Sequence, residues 1–218
     1  MTSDPGFAGP YACLAQAYCL DFQSRLTGIP DPLDLAARFS AQALDKDPDE
    51  PEAHFVAANV AIWRRDLLLA RVEADRALAL NPNYAMAHGA RGNIEVYLGT
   101  PLAGIPHIQR AMLLDPFFTY QTLHFLGTAY LVAGQFEAAA ASLRERVRLA
   151  PKTDLSRAFL ASALGHLGEL DEARRIWSEL KVINPKYSLV DHLARLPFQA
   201  DADRDRIREG VEKAGLQD

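Results

Sequence analysis

Thiols are scarce in this chain, and the two present cannot pair. Cys13 and Cys19 are six residues apart, about 9 Å on one helix, which is beyond disulfide reach. Reduced thiols fit a cytoplasmic setting. Basic charge is also in short supply. The 23 Lys and Arg are outnumbered by 28 Asp and Glu, for a net charge of −5, so no nucleic-acid partner is expected, because phosphate binding needs clustered cations. The densest basic stretch, Arg144, Arg146 and Arg148, is interrupted by Glu145 and reads as a solvated helix face. Uncharged apolar runs long enough to span a bilayer (~18 residues) are missing, so no membrane insertion is expected. Residues 1–5 lack the basic and apolar blocks of a signal peptide. HExxH, paired CxxC, P-loop, GxGxxG and GxSxG motifs are absent. Nothing assembles a nucleophile, a base and an orienting group. An enzyme is therefore not expected, nor a cofactor or a metal centre.

What the chain does have is apolar content and a period. Hydrophobic residues make up 49%, which opposes disorder, and many are alanine, the best helix former. Pro48, Pro82, Pro116, Pro151 and Pro185 are spaced by 34, 34, 35 and 34 residues. A proline breaks a helix and pushes the residue before it out of helical conformation, so each proline ends a helix at the same phase of a repeat. Within the units the apolar spacing is helical: Leu123, Leu126, Gly127 and Tyr130, then Phe136, Ala139, Ala140 and Leu143.

The units resemble the tetratricopeptide-repeat (TPR) family. A small residue sits midway along each first helix (Ala58, Gly92, Gly127, Ala161) and another early in each second helix (Ala70, Gly104, Ala139, Ala173). A glycine closes the intervening turn (Gly99, Gly134, Gly168), where a left-handed cap suits it. The unit from 51 departs by placing Arg65 there. The fold expected is all-α: a right-handed TPR superhelix (α-solenoid) of about five helix pairs plus C-terminal capping helices, one domain over 1–218. Residues 7–50 read as a degenerate repeat with an insertion near Gly28-Ile29-Pro30-Asp31-Pro32. Regular repeats follow at 51–84, 85–118, 120–153 and 154–187, and 188–218 reads as a cap. Asp4-Pro5 looks like one more closing phrase. Ser188 starts a short helix with Asp191 at the capping-box position, and a charged helix at about 201–214 ends the array.

The resemblance implies that the first helices line a concave groove for a protein or peptide. The groove positions are Phe55, Asn59, Trp63, Met86, Asn93, Tyr97, His124, Thr128, Ser162 and His166. Phe55, Trp63, Met86 and Tyr97 are expected exposed or half exposed, as on a binding surface. Phe55, Gly89, His124 and Ala158 stand where the family's carboxylate clamp has lysine, which disfavours a terminal carboxylate as ligand. His54 and His88, one period apart, read as packing residues too distant to share a zinc. The two ends of the chain, Asp4-Pro5-Gly6-Phe7 and Leu196-Pro197-Phe198 with Ile207–Leu216, also resemble the C-terminal TPR region of bacterial class III adenylate/guanylate cyclases and related regulators. The function expected is a protein–protein interaction scaffold. The alternative is a regulatory or self-association (homo-oligomer) module of a bacterial signalling protein.

Overall fold

The computed structural model describes residues 7–24 and 27–217. The phrase Asp4-Pro5 lies outside them, as does the end of the first helix near 25. Five helix pairs follow one another: α1 (Gly9–Ser24) with α2 (Pro32–Lys46), α3 (Pro51–Trp63) with α4 (Leu67–Leu80), α5 (Ala85–Tyr97) with α6 (Pro101–Leu114), α7 (Thr119–Val132) with α8 (Phe136–Leu149), and α9 (Leu155–Leu167) with α10 (Leu170–Ile183). Two further helices, α11 (Leu189–Arg195) and α12 (Asp201–Lys213), close the chain. Among the described residues there is no strand, and the architecture is the α-solenoid expected.

Local chemistry sets the boundaries. Pro51 and Pro101 occupy first-turn positions, where a missing N–H costs nothing. Asp66 caps α4 by accepting the Leu69 N–H at 3.0 Å. Ser188 caps α11 by accepting from Asp191 N at 3.1 Å, each satisfying one orphan donor. The turns at Gly99, Gly134 and Gly168 are left-handed, with φ of 83°, 76° and 76°. Arg65 makes the same turn at φ 63°, so the geometry survives without glycine, at a cost of roughly 1–2 kcal/mol for a residue bearing a Cβ.

Small residues let each pair close. A Cβ on Gly104 would strike the Gly92 backbone, and one on Gly127 would strike the Leu143 side chain. Each first helix packs on the next first helix (α1 on α3, α3 on α5, α5 on α7, α7 on α9), and each second helix packs on the following first helix. Successive first helices touch, whereas no comparable contact joins successive second helices among the described residues, so the first helices form the inner row of the stack. The largest core cluster runs from α3 to α12 and includes Ile62, Ile94, Leu131, Phe159, Leu164 and Trp177, while the first pair packs against α3 in smaller separate clusters around Ala12, Cys19 and Ala36.

One position breaks the pattern. Ala43, Ala77, Ala111 and Leu180 each lie five residues before a closing proline and are buried, at 2% exposure or less. Arg146 holds that position in α8. Its guanidinium lies over the Tyr120 ring at 5.2 Å, yet Nε and one terminal nitrogen are shielded and without a hydrogen-bond partner. Burial lowers its pKa. An unmet buried donor costs about 1–3 kcal/mol, so Arg146→Leu is expected to raise unfolding stability by roughly that amount in a urea titration. A loss would mean the guanidinium is compensated.

Candidate functional site

The chain itself covers much of the inner face of the stack. Ten consecutive residues of α9, Ser156 to Gly165, are buried. A helix buried on every side needs cover on its inner side as well as its outer, and α12 supplies it by packing against α9 and α7. Ser162 Oγ donates to the Ile207 carbonyl at 2.7 Å. The His166 Nε2 N–H donates to the Arg206 carbonyl at 2.8 Å, and its ring stacks on Phe136 at 4.0 Å. Arg206 donates to the Val132 carbonyl. Upstream of α12, Phe198 meets Tyr97 edge-on at 5.0 Å, and Gln199 N donates to the Tyr97 carbonyl at 2.9 Å. Further back, Arg65 donates to the Ala194 carbonyl and Arg195 to the Gln23 carbonyl. The tail thus crosses from α9 to α1. The terminal segment does more than end the stack: it lies along the inner wall.

Five of the ten residues expected in the groove are buried: Phe55, Asn93, Tyr97, Thr128 and Ser162. Phe55 and Tyr97 are buried, at 5% and 6%, not exposed. Phe55 packs edge-on against Tyr84 at 5.4 Å, between repeats, beside half-buried Met86. Tyr97 lies under Phe198. Asn93 is buried, one turn before Tyr97 on α5. Asn59 donates to the Phe55 carbonyl and Thr128 to the His124 carbonyl, each one turn back in its own helix. Ser162 has no exposed surface. His124 Nδ1 meets Ser156 Oγ at 3.1 Å, and its ring lies on Phe159. Trp63 is half-buried beside Phe22 at 5.9 Å.

No protein-family model and no curated relative matches the chain. Solved structures do. PilW, a type IV pilus biogenesis factor, superposes with a TM-score of 0.71 at 19% identity, covering 97% of this chain and 95% of PilW. PilF of Pseudomonas aeruginosa gives 0.69 at 18%, over 94% and 89% of the two chains. YrrB, described as a TPR protein with an unusual peptide-binding site, gives 0.57 at 20%, over 80% and 90%. The chain has the TPR fold.

In this TPR chain a cleft remains between the amino-terminal helices and α11. It has a volume of about 490 Å³ and is lined by Phe22, Ile29, Pro32, Trp63, Arg65 and Arg195, among others. Phe22 and Trp63 give it an aromatic floor. The Arg65 and Arg195 guanidiniums sit on its rim, each donating from one nitrogen to a backbone carbonyl, Ala194 and Gln23 respectively. Asp21, also on the wall, is buried, and its two carboxylate oxygens accept from Thr27 N at 2.9 Å and Thr27 Oγ1 at 2.7 Å. The cleft therefore offers apolar surface and cationic charge, with its carboxylate already engaged.

The histidines differ from the packing role read in the sequence. His54 is hydrogen-bonded from both ring nitrogens, to Glu73 at 2.6 Å and to the Pro48 carbonyl at 2.8 Å. Cys13 and Cys19 are unpaired, and burial pushes the Cys19 thiol up to about 12. No group of three or more metal-ligand side chains occurs among the described residues. No helix among them is long and apolar enough to cross a membrane.

Proposed function

We propose that the protein is an interaction scaffold, not an enzyme, and that it holds a protein or peptide segment in the cleft between α1, α3 and α11. The observation that carries this reading is the aromatic floor of Phe22 and Trp63, left uncovered where the tail passes. Aromatic side chains in a partly desolvated pocket are the usual anchors of an interface. The two arginines suit an acidic neighbour to an apolar anchor residue, since guanidinium pairs well with carboxylate. The TPR fold supports the reading, because such arrays present extended inner surfaces to partners. Peptides selected from a random display library against the whole chain are expected to carry an apolar residue next to Asp or Glu. They should bind Trp63→Ala roughly tenfold or more weakly, about 1.4 kcal/mol. Selected peptides that bind Trp63→Ala as well as the parent would rule the cleft out.

The outer face favours self-association as a second role. Leu68, Leu69 and Val72 of α4 are 59%, 47% and 61% exposed, and Leu102, one period on, is 61% exposed. This apolar stripe would join two copies, or join the repeats to a signalling domain in the regulatory setting. Light scattering should show a concentration-dependent mass that Leu68→Glu with Val72→Glu abolishes. A strictly monomeric parent removes this role.

A further inference from the structure

The inner wall holds α12 largely through its backbone. Ser162 and His166 of α9 donate to the Ile207 and Arg206 carbonyls. A carbonyl has two lone pairs, so it accepts such a bond without leaving its own helix. Gly165 and Gly210 lack the Cβ atoms that would hold the two helices apart. The apolar side chains of α12 and its end that are buried are Ile207, Val211 and Ala214. They stand at i, i+4 and i+7, the spacing with which an amphipathic helix lies in a groove. The seat therefore reads a helix by its shape, by three apolar side chains and by carbonyls that every sequence has.

The helix seated there is poorly matched to it in two respects. Its ion pairs, Arg204 with Asp201, Arg208 with Asp205 and Glu212, and Lys213 with Glu209, all lie within α12. They survive if the helix lifts away, and they do not hold it down. Asp203, in the first turn, is 8% exposed and lies against the turn at Gly99. Its Oδ2 is shielded and has no hydrogen-bond partner among the described residues. The two nearby guanidiniums are engaged elsewhere, Arg204 with the Phe198 carbonyl and Asp201, and Arg206 with the Val132 carbonyl. Burial raises the Asp203 pKa. A carboxylate in a first turn favours a solvated helix, but one that is sheltered and unmet costs free energy. α12 is thus suited to standing as a helix in water and penalised as an occupant.

We propose that the α7–α9 wall is a docking seat for a helix of a partner protein, and that α12 is a resident competitor that closes the seat until such a helix displaces it. The chemistry of the partner helix is read from α12. It carries Ile or Val, then Gly three residues on, Val beside that Gly and Ala three further, with an apolar residue in place of Asp203. This seat is separate from the cleft between α1, α3 and α11.

The test uses a fluorescent peptide of residues 199–216 carrying Asp203→Leu, against the full chain and two variants that unseat α12 from opposite sides. Gly210→Val alters only the occupant, and Gly165→Val alters only the seat. Anisotropy should show saturable binding to the parent and binding about tenfold tighter or more to Gly210→Val, where the competitor is weakened. Gly165→Val should show none by about 1 mM. A second measurement needs no variant: in the parent, saturating peptide should raise amide hydrogen exchange across residues 201–213 and leave α9 protected. Equal binding by Gly165→Val, no binding by Gly210→Val, or unchanged exchange over 201–213 overturns the proposal. Equal affinity for the peptide without Asp203→Leu assigns the seat to the α12 of a second copy and overturns a foreign partner.

Discussion

Gly165→Val is expected to lower unfolding stability by about 3 kcal/mol or more and to release α12 from the inner face. The two helices meet glycine to glycine. A Cβ at position 165 would fall inside the van der Waals surface of the Gly210 carbonyl oxygen, and a Cβ at 210 would meet the Ser162 carbonyl and hydroxyl. Backbone cannot move aside as a flexible side chain can, so α12 must lift. Lifting exposes Ile207, Val211 and Ala214, all now buried, and the apolar transfer of the first two alone is worth roughly 1.5–3 kcal/mol each. It also strips partners from Ser162 and from the Ile207 carbonyl. Urea unfolding gives the stability change, and limited proteolysis reports whether residues 201–213 have become accessible. A loss below about 1 kcal/mol with an unchanged cleavage pattern would show that α12 does not depend on that contact.

How much of this was legible beforehand follows from the range of the forces involved. The period, the helix pairs, the turns and the start of α11 are local, written by proline, glycine and caps within a few residues, and the structure follows them closely. Arg65 shows the limit of residue type as a signal: the repeat imposes the left-handed turn on an arginine because the two helices it joins are fixed by packing. The groove residues were harder. Register alone places Phe55 and Tyr97 on first helices, but whether each faces solvent depends on what arrives from elsewhere, Tyr84 in one case and Phe198 in the other. Phe198 comes from 101 residues away, and no local pattern encodes its arrival. One sequence clue to the folded-back tail existed. The stretch Phe159 to Gly165 has no charged residue on any face, which a helix with an open inner side would not tolerate well. Gly210 in an otherwise charged helix was its counterpart, a small residue where another helix comes close.

The tail also creates a pH-sensitive layer, and acid is expected to weaken the fold through it. Phe159 is fully buried with an imidazole on either side: His124 at 5.4 Å between centroids and His192 at 5.5 Å. His192 Nδ1 pairs with the Tyr187 hydroxyl at 2.7 Å. Burial, reinforced by His192 and Arg146, brings His124 down to about 3. Burial and Arg195, partly offset by Asp154, bring His192 down to about 4. Unfolded, each would titrate near ~6.5. Between those values the unfolded chain binds more protons than the folded one, so stability rises with pH across that window. The contribution is complete above about pH 6.5 and drains away as pH falls toward about 4. At pH 5 the deficit is about 1.5 pK units per ring, or roughly 2 kcal/mol for a fully sheltered one. His192 is nearly so, whereas His124 keeps some exposure, so the pair together is expected to cost about 2–4 kcal/mol between pH 7 and pH 5. Urea unfolding at the two pH values, on the parent and on His124→Leu with His192→Leu, isolates this share, because every other titrating group is common to both. Whatever its starting stability, the double variant should lose roughly 2–4 kcal/mol less on acidification. If both proteins lose the same amount, the two rings are already accessible to protons in the folded state and the tail does not seal them.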